Sequence, residues 1–209
     1  AFYRIYRSGA GEAAQAAQQI KAIFNRNPSV VSGEAIRYVG ELTFKEVEGA
    51  VPRFMKLGLA GGTVDVLAKS IENKALGLQQ VEQALGRVVG TKDPYWGVAA
   101  LYQLGLANEH FAEILANPPA IQGASKEDVL KELAPQIAGR KQEAMKWYKT
   151  AQDTVSQFKV YNDWSIRTLG GVNRLSGKKV QFDDYVVSPD FLGYELAGSM
   201  TSSLKGDRQ

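Results

Sequence analysis

The sequence predicts an all-α protein, an α-solenoid in which antiparallel pairs of long helices stack side by side. Three observations predict this fold class. Apolar residues recur at helical spacing along most of the chain, which is typical of amphipathic helices. Patterns of small residues recur at an interval of about 67 residues, which is typical of stacked repeats. Strand-like alternation is scarce, and its best example, at 179–187, has no evident partner strand.

The first half of the chain predicts three helices, at 10–26, 31–57 and 64–89. Breakers at 25–28 end the first of them. Pro52 lies inside the second and should kink or split it near Gly49, because proline removes a backbone donor and clashes with the preceding turn. Thr63 is suited to capping the third, since its hydroxyl can accept a hydrogen bond from a free N–H group of the first turn.

The second half predicts three further helices, at 95–116, 125–158 and 162–175. Two consecutive prolines at 118–119 stop the first, which is the most apolar of all. Ser125 and Asp128 resemble a capping box at the start of the next, and Pro135 should kink it. Trp96 and Trp164 each open a helix. We therefore expect a helical repeat domain at 1–175 and a C-terminal extension, which contains aromatic residues, at 176–209.

Small residues at matching helical positions define the repeat. Ala144, Tyr148 and Ala151 have counterparts one interval earlier at 77, 81 and 84, and Leu104-Gly105 has a counterpart at 39–40. Glycine and alanine let two helix backbones approach closely, with larger side chains such as Tyr148 in the flanking grooves. This combination resembles the tetratricopeptide repeat (TPR), in which one helix carries Leu-Gly and the next carries alanine, an aromatic residue and alanine. The units are longer than the standard repeat of about 34 residues, so the helices should be long.

A closer resemblance covers residues 64–175. The segments that carry it lie at 93–105, 109–112, 117–119 and 161–164, and they are similar to repeat regions of large exported deltaproteobacterial proteins. These include TPR proteins near envelope and gliding-type machinery. The resemblance implies an envelope scaffold with a periplasmic or cell-envelope location, and it carries over no catalytic residue.

The candidate binding residues follow from the same resemblance, because the first helices of TPR pairs line a concave surface. Polar and aromatic residues of the predicted first helices give a candidate groove for a protein or peptide partner: Arg37, Tyr38, Tyr102, Gln103 and Asn108. Trp147 is a further candidate anchor. Its neighbour Tyr148 fits the packing position, so Trp147 should point about 100° away from the core.

Composition excludes several other functions. The 25 cationic residues are interleaved with 22 anionic ones, which does not indicate a nucleic-acid surface. The chain has no cysteine, a single histidine (His110), and no apolar stretch long enough to span a membrane. Asp183-Asp184 lacks the spaced oxygen ligands of a calcium loop, and 58–62 lacks the lysine of a phosphate loop. The sequence predicts no catalytic residue, cofactor or metal, and His110 is most simply a hydrogen-bonding group on the surface or between helices.

The leading hypothesis is a non-enzymatic protein-interaction scaffold, and two alternatives stay open. One is a helical enzyme acting on cell-wall glycan, which would require a glutamate of raised pKa in a cleft. Glu41, Glu46 and Glu48 are the residues to consider, but their positions on or near the polar side of a helix favour solvent exposure. The other is a structural segment of a longer repeat protein. An array that begins and ends with half-units should have apolar ends, which predicts self-association through them unless they are capped.

Overall fold

The structure, a computed structural model, describes residues 2–8, 11–27 and 33–177. In these ranges the chain is helical and contains no strand, so the predicted all-α class is confirmed there. The described helices are α1 (Phe2–Arg7), α2 (Ala13–Arg26), α3 (Gly33–Val47), α4 (Ala50–Met55), α5 (Val64–Val89), α6 (Pro94–Ala116), α7 (Lys126–Phe158) and α8 (Asp163–Ser176). They belong to one compact unit that ends at Ser176.

The predicted helix at 31–57 is split into α3 and α4, as the position of Pro52 indicates. The break falls at 48–49, and Pro52 becomes the third residue of α4. A proline in the first turn of a helix is tolerated, because the N–H groups there have no intrahelical acceptor. The prediction of a split near Gly49 is therefore confirmed. Pro135, in contrast, lies within α7, which continues to Phe158.

Side-chain caps fix the starts of the three longest helices. Thr63 caps α5, Asp93 caps α6 and Ser125 caps α7, each accepting a hydrogen bond from the backbone N–H three residues on. Such a cap contributes about 1 kcal/mol of stability. The predicted caps at Thr63 and Ser125 are confirmed.

Helix α6 lies at the centre of the described helices, in contact with α3, α4, α5, α7 and α8. It is apolar around most of its circumference, and such a helix must be buried. Val98, Ala99 and Ala100, which point to different sides of it because they are consecutive, are all fully buried. Together with apolar residues of the surrounding helices they form what we call the main core, whose largest members include Phe44, Phe54, Leu78, Leu85, Leu104 and Phe111.

The closest helix packing occurs around Tyr148 of α7. Its ring lies between Gly105 of α6 and Gly171 of α8, an arrangement we call the tyrosine clamp. A Cβ atom added to Gly105 would lie 2.6 Å from Cδ1 of the ring, and one added to Gly171 would lie 2.6 Å from Cε2. Ala144 and Ala151 flank Tyr148 on α7, and all three are fully buried. The ring of Tyr148 thus packs directly over Gly105, whereas the sequence analysis placed it in a groove beside the contact of small residues.

The N-terminal region differs from the sequence prediction. Residues 2–7 form α1, although the sequence did not indicate a helix there. Glu41 is only 8% exposed, so the prediction that it faces solvent is wrong. It accepts a hydrogen bond from Tyr3 Oη (2.9 Å) and pairs with Arg7 (3.4 Å) and Lys45 (2.9 Å). Two of these partners come from α1, which explains why the pattern of α3 alone could not predict the burial.

The predicted strand at 179–187 lies outside the described residues. So does all of the predicted C-terminal extension beyond Gly177.

Candidate functional site

An apolar groove lies between the first halves of α5 and α7, with a volume of about 360 Å³. We call it the α5–α7 groove. Leu67, Ile121 and Leu133 form its floor and are only 6–8% exposed. The walls include Ile71 and Val129, which are half-buried. The volume is at the lower end of the range found for ligand-binding sites in proteins, roughly 300–1,000 Å³.

Each wall of the groove is one face of one helix. The residues that α5 contributes are Val64, Leu67, Ala68 and Ile71. The residues that α7 contributes lie at 128, 129, 132, 133 and 136. Both sets follow the spacing of one helical face, because side chains three and four residues apart are neighbours on a helix surface. The groove therefore has two walls made of helical side chains, and the loop residues Ile121 and Ala124 complete its lining.

The backbone ties the start of α5 to the start of α7 at one end of the groove. Gly62 N–H donates to the carbonyl of Ala120 (3.2 Å), and the carbonyl of Gly62 accepts from the N–H of Gln122 (2.7 Å). Gly62 has a φ of 116°, in the left-handed region that glycine adopts readily. The cap residues Thr63 and Ser125 follow this bridge within a few residues. The two helices thus begin side by side in a fixed position.

The charged residues that line the groove are both acidic. Asp128 and Glu132 of α7 are exposed and lie one helical turn apart. Asp128 Oδ2 accepts a hydrogen bond from the hydroxyl of Ser125 (2.6 Å). Val64, on the opposite wall, is 61% exposed. The groove therefore combines an apolar floor with an exposed apolar edge on α5 and a negative edge on α7.

The structure places Arg37 and Tyr38, two of the predicted binding residues, on α3. Arg37 is exposed, with its Nε 3.9 Å from Asp93 Oδ2 and its guanidinium 5.4 Å from the centroid of the Tyr95 ring. Tyr38 stacks on Tyr3 of α1, with ring centroids 3.4 Å apart, and its hydroxyl donates to Glu34. Both residues thus engage neighbouring side chains at the N-terminal end of α3.

The other three predicted groove residues lie on α6, and two of them are buried. Tyr102 is 8% exposed and packs beside Tyr148, with ring centroids 5.9 Å apart. Asn108 is fully buried, and its amide accepts a hydrogen bond from Arg140 (3.3 Å). Gln103 is half-buried. Because Tyr102 and Asn108 are buried, they are not available to a partner on the protein surface. The structure therefore does not bring the five predicted residues together in one accessible groove.

Trp147 packs against the main core, although the sequence predicted that it points away from it. Its indole Nε1 is buried and has no hydrogen-bond partner among the residues that the structure describes. The Nζ atom of Lys146 lies 5.6 Å from the ring centroid. The ring is half-buried, so it contributes to packing and is not a free anchor for a partner.

A polar network that the sequence analysis did not identify joins α6, α7 and α8; its Glu109 and Tyr148 are buried and its Arg174 is half-exposed. Glu109 accepts a hydrogen bond from the Tyr148 hydroxyl (2.6 Å) and two from the guanidinium of Arg174 (2.8 Å each). Burial would raise the pKa of Glu109, but the hydrogen bonds from Arg174 and Tyr148 together hold it below its ordinary value. Burial and the bond to Glu109 raise the pKa of Tyr148. The available signal was that Glu109 is one of two acidic residues, with Glu113, in a mostly apolar helix.

The two buried glutamates bear on the glycan-enzyme alternative. Glu41 and Glu109 both have a lowered pKa, because cationic and hydroxyl donors outweigh the effect of burial. A general acid in a glycosidase needs the opposite, a carboxyl group whose pKa is raised toward neutrality. Neither residue provides that property.

A second polar cluster lies at the C-terminal end of α4. Lys74 of α5 is fully buried and donates to the carbonyls of Phe54 (2.9 Å) and Leu57 (2.6 Å). His110 of α6 donates through Nε2 to the carbonyl of Met55 (3.1 Å), which confirms its predicted role between helices. Burial lowers the pKa of Lys74 to about 8 and also lowers that of His110. The two side chains satisfy carbonyls that a helix C-terminus leaves free.

Comparison with models of protein families, with curated proteins and with solved structures gives no match for this chain. Among the described residues, no helix has the length and apolar character needed to cross a membrane. The same part of the chain holds no group of three or more metal-ligating side chains. The functional assignment therefore depends on the α5–α7 groove and on the way the helices pack.

Proposed function

We propose that this protein is a non-enzymatic interaction scaffold that binds a segment of a partner protein in the α5–α7 groove. The observation that carries the proposal is the groove itself, which has a fully apolar floor and an exposed apolar edge. Apolar surface in contact with water is unfavourable, and covering it releases roughly 25 cal/mol per Å². A concave apolar surface of this kind is typical of sites where a protein binds another chain or a ligand.

The proposed architecture is a divergent TPR-like solenoid of antiparallel helix pairs. Two features support it. Helix α6 contacts both α3 and α8, as successive first helices of a solenoid would. In addition, Gly40, Gly105 and Gly171 of these helices each face a large aromatic ring; a Cβ atom on Gly40 would lie 2.9 Å from Cδ1 of Trp96. In this scheme α5 and α7 are second helices of neighbouring pairs, so the proposed site lies between second helices and not on the concave face.

The periplasmic or cell-envelope location is part of the proposal and is supported by the resemblance to exported repeat proteins. Fractionation of cells that express the tagged native gene would test it. Recovery with the envelope or periplasmic fraction is the expected result, and recovery in the cytosolic fraction alone would contradict it.

Selection of peptides from a random display library on the immobilised protein tests the proposed function. Ala68 is an exposed groove residue, and Ala68→Trp should fill the groove without adding charge. Ala138→Trp, at an exposed position of α7 outside the groove, is the matched control. Selected peptides should bind the wild type and the Ala138→Trp variant and lose binding to Ala68→Trp. Binding that Ala68→Trp leaves unchanged would contradict the groove as the docking site.

Self-association is a second candidate, supported by exposed apolar side chains near the last helix. Phe158 at the end of α7 is 54% exposed, and Ile166 of α8 is 56% exposed. Sedimentation of the wild type and of the Phe158→Ser/Ile166→Ser variant would test it. A dimer that the double substitution dissociates would support this candidate, and a monomeric wild type would exclude it.

A further inference from the structure

We infer that the occupant of the α5–α7 groove is a short amphipathic helix of about two turns, with an apolar face flanked by lysine or arginine. The inference rests on the proposed function and specifies the chemistry of the partner. It follows from the type of wall, the length of the groove and the sign of its charge.

The walls favour a helix over an extended peptide. A peptide that binds as a strand gains its affinity from main-chain hydrogen bonds to an exposed sheet edge. The groove offers no such edge: its lining residues are helical except Ile121 and Ala124, and Ile121 forms only an isolated bridge to Gly62. A helix satisfies its own backbone groups and can pack its side chains between the two rows of wall residues.

The length of the walls limits the length of the contact. The α5 wall runs from Val64 to Ile71, and the α7 wall from Asp128 to Gln136. At about 1.5 Å per residue, each wall is roughly 10–12 Å long, which corresponds to two turns of a bound helix. Such a helix would place two or three apolar side chains, spaced three or four residues apart, over Leu67, Ile121 and Leu133.

The charge of the groove specifies the flank of the bound helix. Asp128 and Glu132 line the α7 wall, and no lysine or arginine lines either wall. Lys69, the lysine of α5 next to the groove residue Ala68, does not line the groove; it pairs with Glu72 on the exposed surface (2.7 Å). Lysine and arginine can lay their apolar stems along the wall and bring the cation to the carboxylates. An acidic flank would meet two like charges, which is unfavourable in the partly dehydrated interface.

Two synthetic peptides of about 15 residues, long enough for marginal helix formation, test the sign of the charge. Both carry leucine at the apolar positions; one has lysine at the flanking positions and the other has glutamate. Fluorescence anisotropy of the labelled peptides with the intact protein gives their affinities. The lysine peptide should bind roughly tenfold more tightly than the glutamate peptide at low salt, and the difference should shrink as salt is added.

Two charge reversals in α7 test whether the preference for the lysine peptide arises in the groove. Glu132→Lys reverses a charge in the groove, and Glu127→Lys makes the same change in net charge on α7 outside it. We expect Glu132→Lys to weaken the lysine peptide roughly fivefold and Glu127→Lys to change it less than about twofold. Thermal unfolding of both variants verifies that they are folded. Equal effects of the two variants would overturn the inference.

The outcomes separate this inference from the proposed function. If display-selected peptides lose binding to Ala68→Trp but are acidic or neutral at the flank, the inference falls and the proposed function stands. If neither designed peptide binds the wild type at about 1 mM, the inference also falls. If Ala68→Trp leaves binding of every selected peptide unchanged, the proposed function falls and the inference falls with it.

Discussion

The two halves of α7 differ in how completely the neighbouring helices cover them. The second half packs against α6 and α8, and Ala144, Tyr148 and Ala151 are fully buried there. The first half borders the α5–α7 groove, where Asp128 and Glu132 stay exposed. Small residues in the second half let backbones approach closely. Dehydrating the carboxylates of Asp128 and Glu132 would be costly, which favours an open groove beside the first half of α7. The second half of α7 is thus a packed surface, whereas the first half leaves an apolar groove uncovered.

The largest effect should come from enlarging a glycine in the tyrosine clamp. Gly105→Val would place a side chain within the space of the Tyr148 ring, which cannot move away because Gly171 confines it on the other side. We expect the free energy of unfolding to fall by about 3 kcal/mol or more. Urea denaturation measures it.

Gly139→Ala is the control for this prediction, because Gly139 lies within α7 and a Cβ atom there would meet nothing within 4 Å. This substitution should stabilise the protein by about 0.5–1 kcal/mol through helix propensity. A loss of stability equal to that of Gly105→Val would show that the clamp is not the cause.

The next largest effect should come from the polar network beside the clamp. Glu109→Gln removes the charge that accepts from Arg174 and Tyr148, and we expect a loss of about 2 kcal/mol at neutral pH. Thermal or urea unfolding measures the loss. Glu143→Gln, which removes an exposed partner of Lys146, is the control and should change stability by less than about 0.5 kcal/mol.

The same network should contribute to acid sensitivity. The folded pKa of Glu109 lies below its ordinary value of 4.5, so its stabilisation is complete above that value and is lost as the pH falls through the folded pKa. Urea midpoints measured between neutral pH and about pH 3 should fall less steeply for Glu109→Gln than for the wild type. An unchanged slope would contradict the role of the Glu109 carboxylate, and Glu41 should account for part of the slope that remains.

A smaller, pH-dependent effect is expected at Lys74, on the α5 side of the molecule. Its folded pKa is lowered from 10.5 to about 8, so the unfolded chain binds more protons between these values and stability should rise with pH there. Lys74→Met should reduce this rise, whereas Lys69→Met, at an exposed position of α5, should retain it. Urea midpoints at pH values from about 8 to just below 10, before tyrosine ionisation contributes, would show whether the two variants differ.

The smallest effect on stability should come from the groove. Ala68→Trp adds a large side chain at an exposed position, and we expect the free energy of unfolding to change by no more than about 0.5 kcal/mol. Calorimetry measures it beside the binding assay. A loss comparable to that of Gly105→Val would show that the groove is a packed part of the core, and the contrast between the two halves of α7 would not hold.

Sequence patterns predicted the helices well because their signals are local. Thr63, Ser125 and Pro52 act on the backbone within a few residues. The structure confirms the two predicted caps and the predicted break. The candidate site was predicted less well. Tyr102 and Asn108 were chosen for their polar or aromatic character and their place on a predicted first helix, but the packing of α6 against five helices buries both. Burial of this kind depends on residues distant in sequence, such as Arg140, which bonds to Asn108 across 32 positions.

The helical class and the caps and breaks of the main helices follow from the sequence alone, because each depends on residues that are neighbours in the chain. Only the tertiary structure decided which polar groups are buried together, as at Glu109, and where an apolar surface is left uncovered. The backbone bridge between Gly62 and Ala120 sets α5 beside α7, although the α5 residues that line the groove precede the other lining residues by at least 50 positions. No local pattern encodes that proximity, so the groove could not be predicted from the sequence.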